Sequence, residues 1–288
     1  MTAEDSSSKR VRLFYDRWSP RYDADQERSP YLSYLNRHYA RLLAHHRSSL
    51  SNPTLDLGCG TGAQALLMLR MGREVVAVDV SPGALRVLKA KLGRWASACH
   101  IVNGDAAHLP LRGSCISSAY SLGYILGHFR EWPRALAELA RVLKPGAHAL
   151  LEFENAFRLE VVYYVLDALF RGRLGSTMGS RAQLRGLLKE GSYIWHAHSF
   201  GNPLSIRFYA VRPWRLRPLL RALGLEPVEE SGAYIAQQLL PIWLGGREVG
   251  SRLKGAANRL LCYIDAALQR ARGLRGLGFS YFVLARKR

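Results

Sequence analysis

Eight residues, Leu55-Asp56-Leu57-Gly58-Cys59-Gly60-Thr61-Gly62, set three glycines at alternate positions between a short apolar run and a segment of helical character. Glycines in that context let a backbone approach a ligand closely and then turn sharply into a helix. Two carboxylates follow. Asp79 closes the β-branched run 74–80, 17 residues after Gly62, and a carboxylate there suits the two hydroxyls of a ribose. Asp105, in Asn103-Gly104-Asp105-Ala106, closes the next short run and can accept a hydrogen bond from the exocyclic amine of adenine. Ligands of open α/β sheets bind at the carboxyl ends of the strands, so these glycines and carboxylates together describe an adenosine pocket.

Asp56 narrows the choice of ligand. Gly58, Gly60 and Ala63 also fit the loose dinucleotide pattern G-x-G-x-x-A, so the glycines alone leave a nicotinamide dinucleotide open. A pyrophosphate wants a free helix N-terminus and no adjacent carboxylate. Asp56 stands two residues before the first glycine, which suits a cofactor carrying a sulfonium and an ammonium group.

The elements that must position these residues alternate. Strands are expected at 54–57, 74–80, 99–103, 116–121 and 148–153, with helices at 63–71, 82–92 and 133–143 between them. Such alternation implies a parallel sheet with helices on both faces. Residues 11–50 read as helical with aromatic anchors, and Ser51-Asn52-Pro53 breaks the pattern. After Asn155 the alternation stops. Residues 157–170 form an apolar helix candidate, 171–181 a Gly/Arg/Ser stretch, 204–210 a strand, 214–223 a short Arg-rich helix, 225–230 a sixth strand, 249–274 a basic amphipathic helix, and 279–285 a closing strand.

The 288-residue chain can bury a sizeable core without disulfides. No apolar run reaches the ~18 residues of a membrane span, and residues 1–12 are polar, so a cytoplasmic location is expected. Cys59, Cys99, Cys115 and Cys262 form no C-x-x-C pair and no His/Cys spacing of a zinc site, so no metal is expected. The formal charge is +19, and residues 156–288 hold 21 Lys and Arg against 8 Asp and Glu. A field of that sign attracts anions, nucleic acid or acidic lipid headgroups among them.

The motifs resemble those of the class I S-adenosylmethionine (SAM)-dependent methyltransferases, within the type 11 group that includes ubiquinone- and menaquinone-biosynthesis enzymes. Four stretches carry the likeness: the glycine loop, Val78-Asp79-Val80-Ser81, Gly104-Asp105-Ala106 with Leu109-Pro110, and Arg141-Val142-Leu143-Lys144-Pro145-Gly146. Phe14-Tyr15-Asp16-Arg17-Trp18 and Arg21-Tyr22-Asp23 resemble the group's aromatic lead. The resemblance implies a Rossmann-like α/β fold, a seven-stranded and mostly parallel sheet with its last strand antiparallel. It implies SAM as cofactor, with Gly58 and Gly60 bordering the methionine part, Asp56 acting through the loop, Asp79 on ribose, and Asp105 with Ala106 framing adenine. Cys59, Val80 and Tyr22 complete the expected contacts. The family's acidic residue near the start of the fourth strand is replaced here by Ser117-Ser118, and its second glycine after Lys-Pro-Gly by Ala147.

Three regions are therefore expected: a helical lead and lid over 1–50, a SAM-binding core over 51–155, and completing strands with a helical cap over 156–288. A methyl transfer needs a general base only when the acceptor must lose a proton. Tyr120, Tyr124 and His128 follow or end the fourth strand, and Tyr124 and His128 are the catalytic candidates. The first expectation for the acceptor is a small hydrophobic or lipid-like molecule, from the apolar stretch 157–170 and a basic helix suited to an acidic membrane surface. RNA is the alternative, from Arg212-Pro213-Trp214-Arg215-Leu216-Arg217. A nonenzymatic SAM- or nucleotide-binding protein is the third reading.

Overall fold

Short β-branched and apolar runs bounded by Gly, Pro and Asn become the buried strands of one sheet. The computed structural model describes residues 3–28, 30–170, 181–196, 204–236, 260–261, 263–265, 267–268 and 274–288. The chain opens with helices α1 (Ala3–Arg28) and α2 (Pro30–His45). There follow β1 (Thr54–Leu57), α3 (Ala63–Arg70), β2 (Val75–Asp79), α4 (Pro82–Lys91), β3 (Cys99–Asn103), β4 (Ile116–Ser121), α5 (Trp132–Val142) and β5 (Leu143–Glu154). The second half contains α6 (Glu160–Leu169), α7 (Arg181–Glu190), β6 (Ser192–His196), β7 (Ser205–Tyr209), α8 (Pro213–Ala222), β8 (Leu225–Ala233) and β9 (Ser280–Lys287).

Seven strands lie in the order β3-β2-β1-β4-β5-β9-β8. The pairings from β3 through β5 are parallel, and β9 runs antiparallel to both β5 and β8. This is the Rossmann-like sheet expected from the resemblance, down to the reversed last strand.

The alternation of side chains along each strand splits the core in two. Val75 and Ala77 of β2, with Leu150 of β5, face the cluster made with Tyr34, Leu35, Tyr39 and Leu43 of α2, Met68 and Leu69 of α3, and Leu88 of α4. Ala149 and Leu151 of β5 face Ala135, Leu136 and Leu139 of α5 and Leu216 and Leu220 of α8. A fully buried leucine contributes about 1.5–3 kcal/mol, so each helix is held mainly by this stripe.

Local signals set the ends. Ser81 accepts the Ala84 N–H at 3.0 Å and Pro82 occupies the first turn, which starts α4. Pro133 does the same for α5.

The expected cap is not wholly helical. Strands β6 and β7 pair antiparallel in a separate two-stranded sheet, with Trp195 opposite Ile206. The Ser192-Tyr193-Ile194-Trp195-His196 run is rich in aromatic and β-branched residues, which fit a pleated surface, but its strand partner lies beyond a nonrepetitive stretch. Helix α7 was likewise not expected. The stretch 11–50, expected to be helical, falls in two helices, α1 and α2. Most of the amphipathic stretch 249–274, and the Gly/Arg/Ser stretch 171–180, lie outside the described residues. Among the described residues no helix is long and apolar enough to cross a membrane.

Candidate active site

The strand order reverses direction between β1 and β4, which opens a crevice at their carboxyl ends. A cleft open to solvent lies there, walled by Leu57, Gly58, Val78, Asp79, Val80, Gly104, Asp105 and Ala106 from the sheet side. Ser8, Val11 and Tyr15 of α1 roof it, and Ile125, His128 and Phe129, after β4, close its far side.

The glycine loop is held by the strand beside it. The Gly58 and Cys59 N–H groups both donate to the Val78 carbonyl, at 2.8 and 3.0 Å. Gly58 has φ +79°, and Gly62, the residue before α3, has φ +87°, a region that side chains other than glycine's occupy with strain. Gly60 donates its N–H to Asp79 Oδ2 and Ser81 donates to Asp79 Oδ1, each at 2.8 Å. Burial raises the Asp79 pKa, and those two N–H groups oppose the rise. Asp79 thus ties the loop to β2 while still lining the cleft. Asp105 accepts the Ala107 N–H at 2.9 Å on Oδ1 and the Ser8 hydroxyl at 2.8 Å on Oδ2.

Asp56 is placed differently. It is 3 % exposed, does not line the cleft, and sits opposite Tyr120 of β4. Burial pushes its carboxyl up to about 8, against the pull of the Tyr120 hydroxyl and the Ala65 N–H. A carboxyl in that state is neutral at pH 7 and supports the loop from beneath.

Helix α1 is fastened over the cleft by its own acids. Asp16 accepts the Ser81 hydroxyl at 2.7 Å and the Gly83 N–H at 2.8 Å, which adds a second cap to α4. Asp23 accepts the Thr61 hydroxyl at 2.6 Å and pairs with Lys91 at 2.7 Å. Next to Asp16, Tyr15 reaches His128: its hydroxyl shares a hydrogen bond with Nε2. The two rings stack with centroids 5.3 Å apart, and Phe208 packs edge-on against His128 at 4.6 Å. His128 is 5 % exposed, its Nδ1 is buried with no hydrogen-bond partner, and burial pushes its pKa down to about 3.

Of the residues singled out in the sequence, Gly58, Asp79, Val80, Asp105, Ala106 and His128 come together around the cleft. Cys59 and Gly60 belong to the loop but do not line it. Tyr22 packs edge-on against Trp18 at 4.7 Å, near enough to Asp79 that the carboxylate's charge helps raise its hydroxyl's pKa, after burial itself. Tyr124 turns toward β9, its hydroxyl 2.6 Å from Ser280 Oγ. Beneath it, buried Glu152 accepts the Gly123 N–H at 2.6 Å and the Tyr39 hydroxyl at 3.1 Å, and burial lifts its carboxyl to about 7.

Sequence reasoning passed over Ser8, Val11, Ile125, Phe129 and Glu152. The spacing of Ser8, Val11 and Tyr15 puts them on one helix face, a usable signal. Nothing local marks Glu152.

Residues 55–151 match a family model described as a methyltransferase domain. The chain is 34% identical over 106 residues to the malonyl-[acyl-carrier protein] O-methyltransferase of Serratia marcescens, covering 37% of this chain and 40% of that one. It is 37% identical over 103 residues to the demethylmenaquinone methyltransferase of Thermobifida fusca, covering 35% of this chain and 43% of that one. The matches thus span less than half the length of these two relatives. A solved structure of Burkholderia thailandensis 1,6-didemethyltoxoflavin-N1-methyltransferase, with its substrate and S-adenosylhomocysteine bound, superposes with a TM-score of 0.56 at 15% identity, covering 100% of this chain and 91% of that one. At that identity the likeness is one of fold.

Proposed function

We propose that this chain, which carries a methyltransferase domain of type 11 over residues 55–151, transfers a methyl group from SAM to a small, hydrophobic or lipid-like acceptor. One observation carries the reading: a single cleft joins the glycine loop, two strand-end carboxylates and a buried imidazole with an unpartnered nitrogen.

The residues fit the cofactor. Asp79 keeps lone pairs beyond its two backbone donors and would hold the ribose hydroxyls. Asp105 already accepts one donor at Oδ2, a place the adenine amine can take, and Val78, Val80, Ala106 and Phe129 give the cleft apolar walls. Gly58 would let the backbone approach the methionine part. SAM, when bound, supplies a methyl group already activated on a sulfonium. The protein's share is alignment of the acceptor and exclusion of water.

Tyr15 fixes the far nitrogen of His128, which leaves Nδ1 for the acceptor. In the tautomer with its proton on Nε2, Nδ1 accepts a hydrogen bond from an acceptor hydroxyl or amine. An oxygen gaining a methyl group becomes a strong acid, so a weak base such as this imidazole suffices to take its proton. The names of the two relatives give acceptors that are a carrier-borne acyl group and a quinone precursor, which supports a small acceptor. Exposed Val162, Leu166, Leu169 and Phe170 of and beside α6, in the strongly basic half of the chain, suit contact with an acidic membrane from which a lipid-like acceptor would be drawn.

The test is incubation with methyl-labelled SAM and an extract of the source cells, followed by separation of organic-soluble material, RNA and protein. Label in the organic-soluble fraction is expected. Label in RNA would overturn the acceptor, and bound SAM with no label transferred anywhere would favour a nonenzymatic role.

A further inference from the structure

At the β8 edge of the sheet, with β5 and β9 between it and β4, two histidines and a glutamate converge. His45 ends α2 and His46 follows it, while Glu229 lies on β8. One ligating atom from each lies within 4.8 Å of the others, and among the described residues this is the one group of three such side chains that close together. We propose that His45, His46 and Glu229 bind a divalent transition-metal ion of the zinc kind, which pins the end of α2 to the edge strand.

The backbone is built to bring them together. In β8 the register slips between Pro227, opposite Ala285, and Glu229, opposite Leu284. Val228 is the extra residue, and a bulge of this kind re-aims the side chains that follow it. Without it, Glu229 would pair with Val283, whose side chain belongs to the α5 and α8 side of the core. With it, Glu229 shares the face of Leu284, the side that α2 covers. On α2, His46 is fixed by its own N–H to Leu42 and by the Ser49 N–H on its carbonyl, both at 2.9 Å. It is 6 % exposed, with the His45 ring edge-on at 4.7 Å. His45 and Glu229 are exposed, so an ion can enter from solvent.

The donor set fits the ion. Two imidazoles and one carboxylate suit zinc and its neighbours better than magnesium or calcium, which prefer oxygen alone. Zinc holds such donors at about 2.0–2.2 Å, so the three side chains would draw together from within 4.8 Å of one another when the ion binds. Three protein ligands leave a fourth position for water. Adjacent histidines with a glutamate far away in sequence match no metal motif, which is why the sequence pointed to no metal. The inference is independent of methyl transfer, and its test reads the metal directly.

Tag-free protein is titrated with Zn²⁺ against a chromophoric chelator, and with Co²⁺ followed by its visible absorption. One equivalent is expected, with a cobalt spectrum of low coordination number and a higher unfolding midpoint in zinc. His46→Ala should abolish the spectrum, and Glu229→Gln, a conservative change at an exposed position, should weaken binding about tenfold or more. His100→Ala, whose ring pairs with Glu74 at 3.0 Å, should bind as the native protein does. Absent binding at micromolar metal, or a cobalt spectrum that survives both His46→Ala and Glu229→Gln, would overturn the site and leave a cluster held by protons alone.

Discussion

The Tyr15 hydroxyl, on the first helix of the chain, is hydrogen-bonded to Nε2 of His128, 113 residues away, and the two rings stack at an interplanar angle of 19°. The pair engages Nε2 of a buried imidazole, and the other nitrogen, Nδ1, is buried without a hydrogen-bond partner. His128→Ala should lower kcat about 100-fold or more, the scale of a lost general base, with SAM affinity within about twofold of native. Tyr15→Phe keeps the ring stack and should lower kcat about tenfold through loss of orientation. Steady-state kinetics on the identified acceptor, beside calorimetric SAM titration, separates the two effects. Equal losses in SAM affinity and kcat would place His128 in the cofactor site instead.

Asp79 and Asp105 are the two carboxylates proposed to contact the adenosine, and they differ in what else they hold. Asp79 also fixes Gly60 and Ser81, so Asp79→Ala should weaken SAM binding about 10- to 100-fold, the scale of charge-assisted hydrogen bonds, and also lower stability. Asp105→Ala should weaken SAM binding less, because Asp105 would take one adenine donor where Asp79 would take two ribose hydroxyls. Calorimetry with each variant decides the order, and a native affinity in Asp79→Ala would remove it from the cofactor site.

Gly62 has φ +87°, and a Cβ added there would fall 2.2 Å from Leu88 Cδ1 in the core. Left-handed backbone costs a residue with a side chain about 1–2 kcal/mol, and overpacking adds about 1–3 kcal/mol. Gly62→Ala should therefore destabilise the fold by roughly 2–5 kcal/mol in urea unfolding. A change of only about 1–2 kcal/mol would mean that Leu88 yields and the backbone cost alone remains.

Buried Asp56 and Glu152 give the protein a pH dependence of definite sign. Burial raises their carboxyls to about 8 and about 7 in the folded chain, whereas in the unfolded chain they ionise near their ordinary values. Their contribution is complete below the unfolded values and is lost as pH rises through the folded ones. His38 and His128 work the other way: burial lowers them to about 4 and about 3, so their contribution is lost as pH falls from the ordinary histidine range toward those values. Between about pH 6.5 and 8.5 the carboxyl contribution dominates, and the urea midpoint should fall as pH rises. Asp56→Asn, which cannot ionise, should flatten that fall, and an unchanged slope would show that Asp56 ionises freely in the folded protein.

Much of the sheet was legible because its signals are local. Strands 54–57, 99–103 and 116–121 match the sequence reading residue for residue, since each is a short run followed within two residues by a glycine. The α4 start was equally plain in Ser81 and Pro82. Strand β6 and helix α7 were missed, because a five-residue strand takes its identity from its partner, and β7 lies across a stretch with no period.

The chain order of glycines and carboxylates by itself determined which residues line the sheet side of the cleft. Gly58, Asp79 and Asp105 each sit at the carboxyl end of a strand, and parallel pairing must bring such ends together. Only the tertiary structure decided the rest. It put Asp56 beneath the loop, turned Tyr124 toward Ser280 while setting His128 under Tyr15, and brought Glu229 to His45 and His46 through a one-residue bulge. Each of those outcomes depends on which face of an element is covered by a helix from a distant part of the chain. Local periodicity fixes the faces of an element, but packing between distant segments selects what covers them.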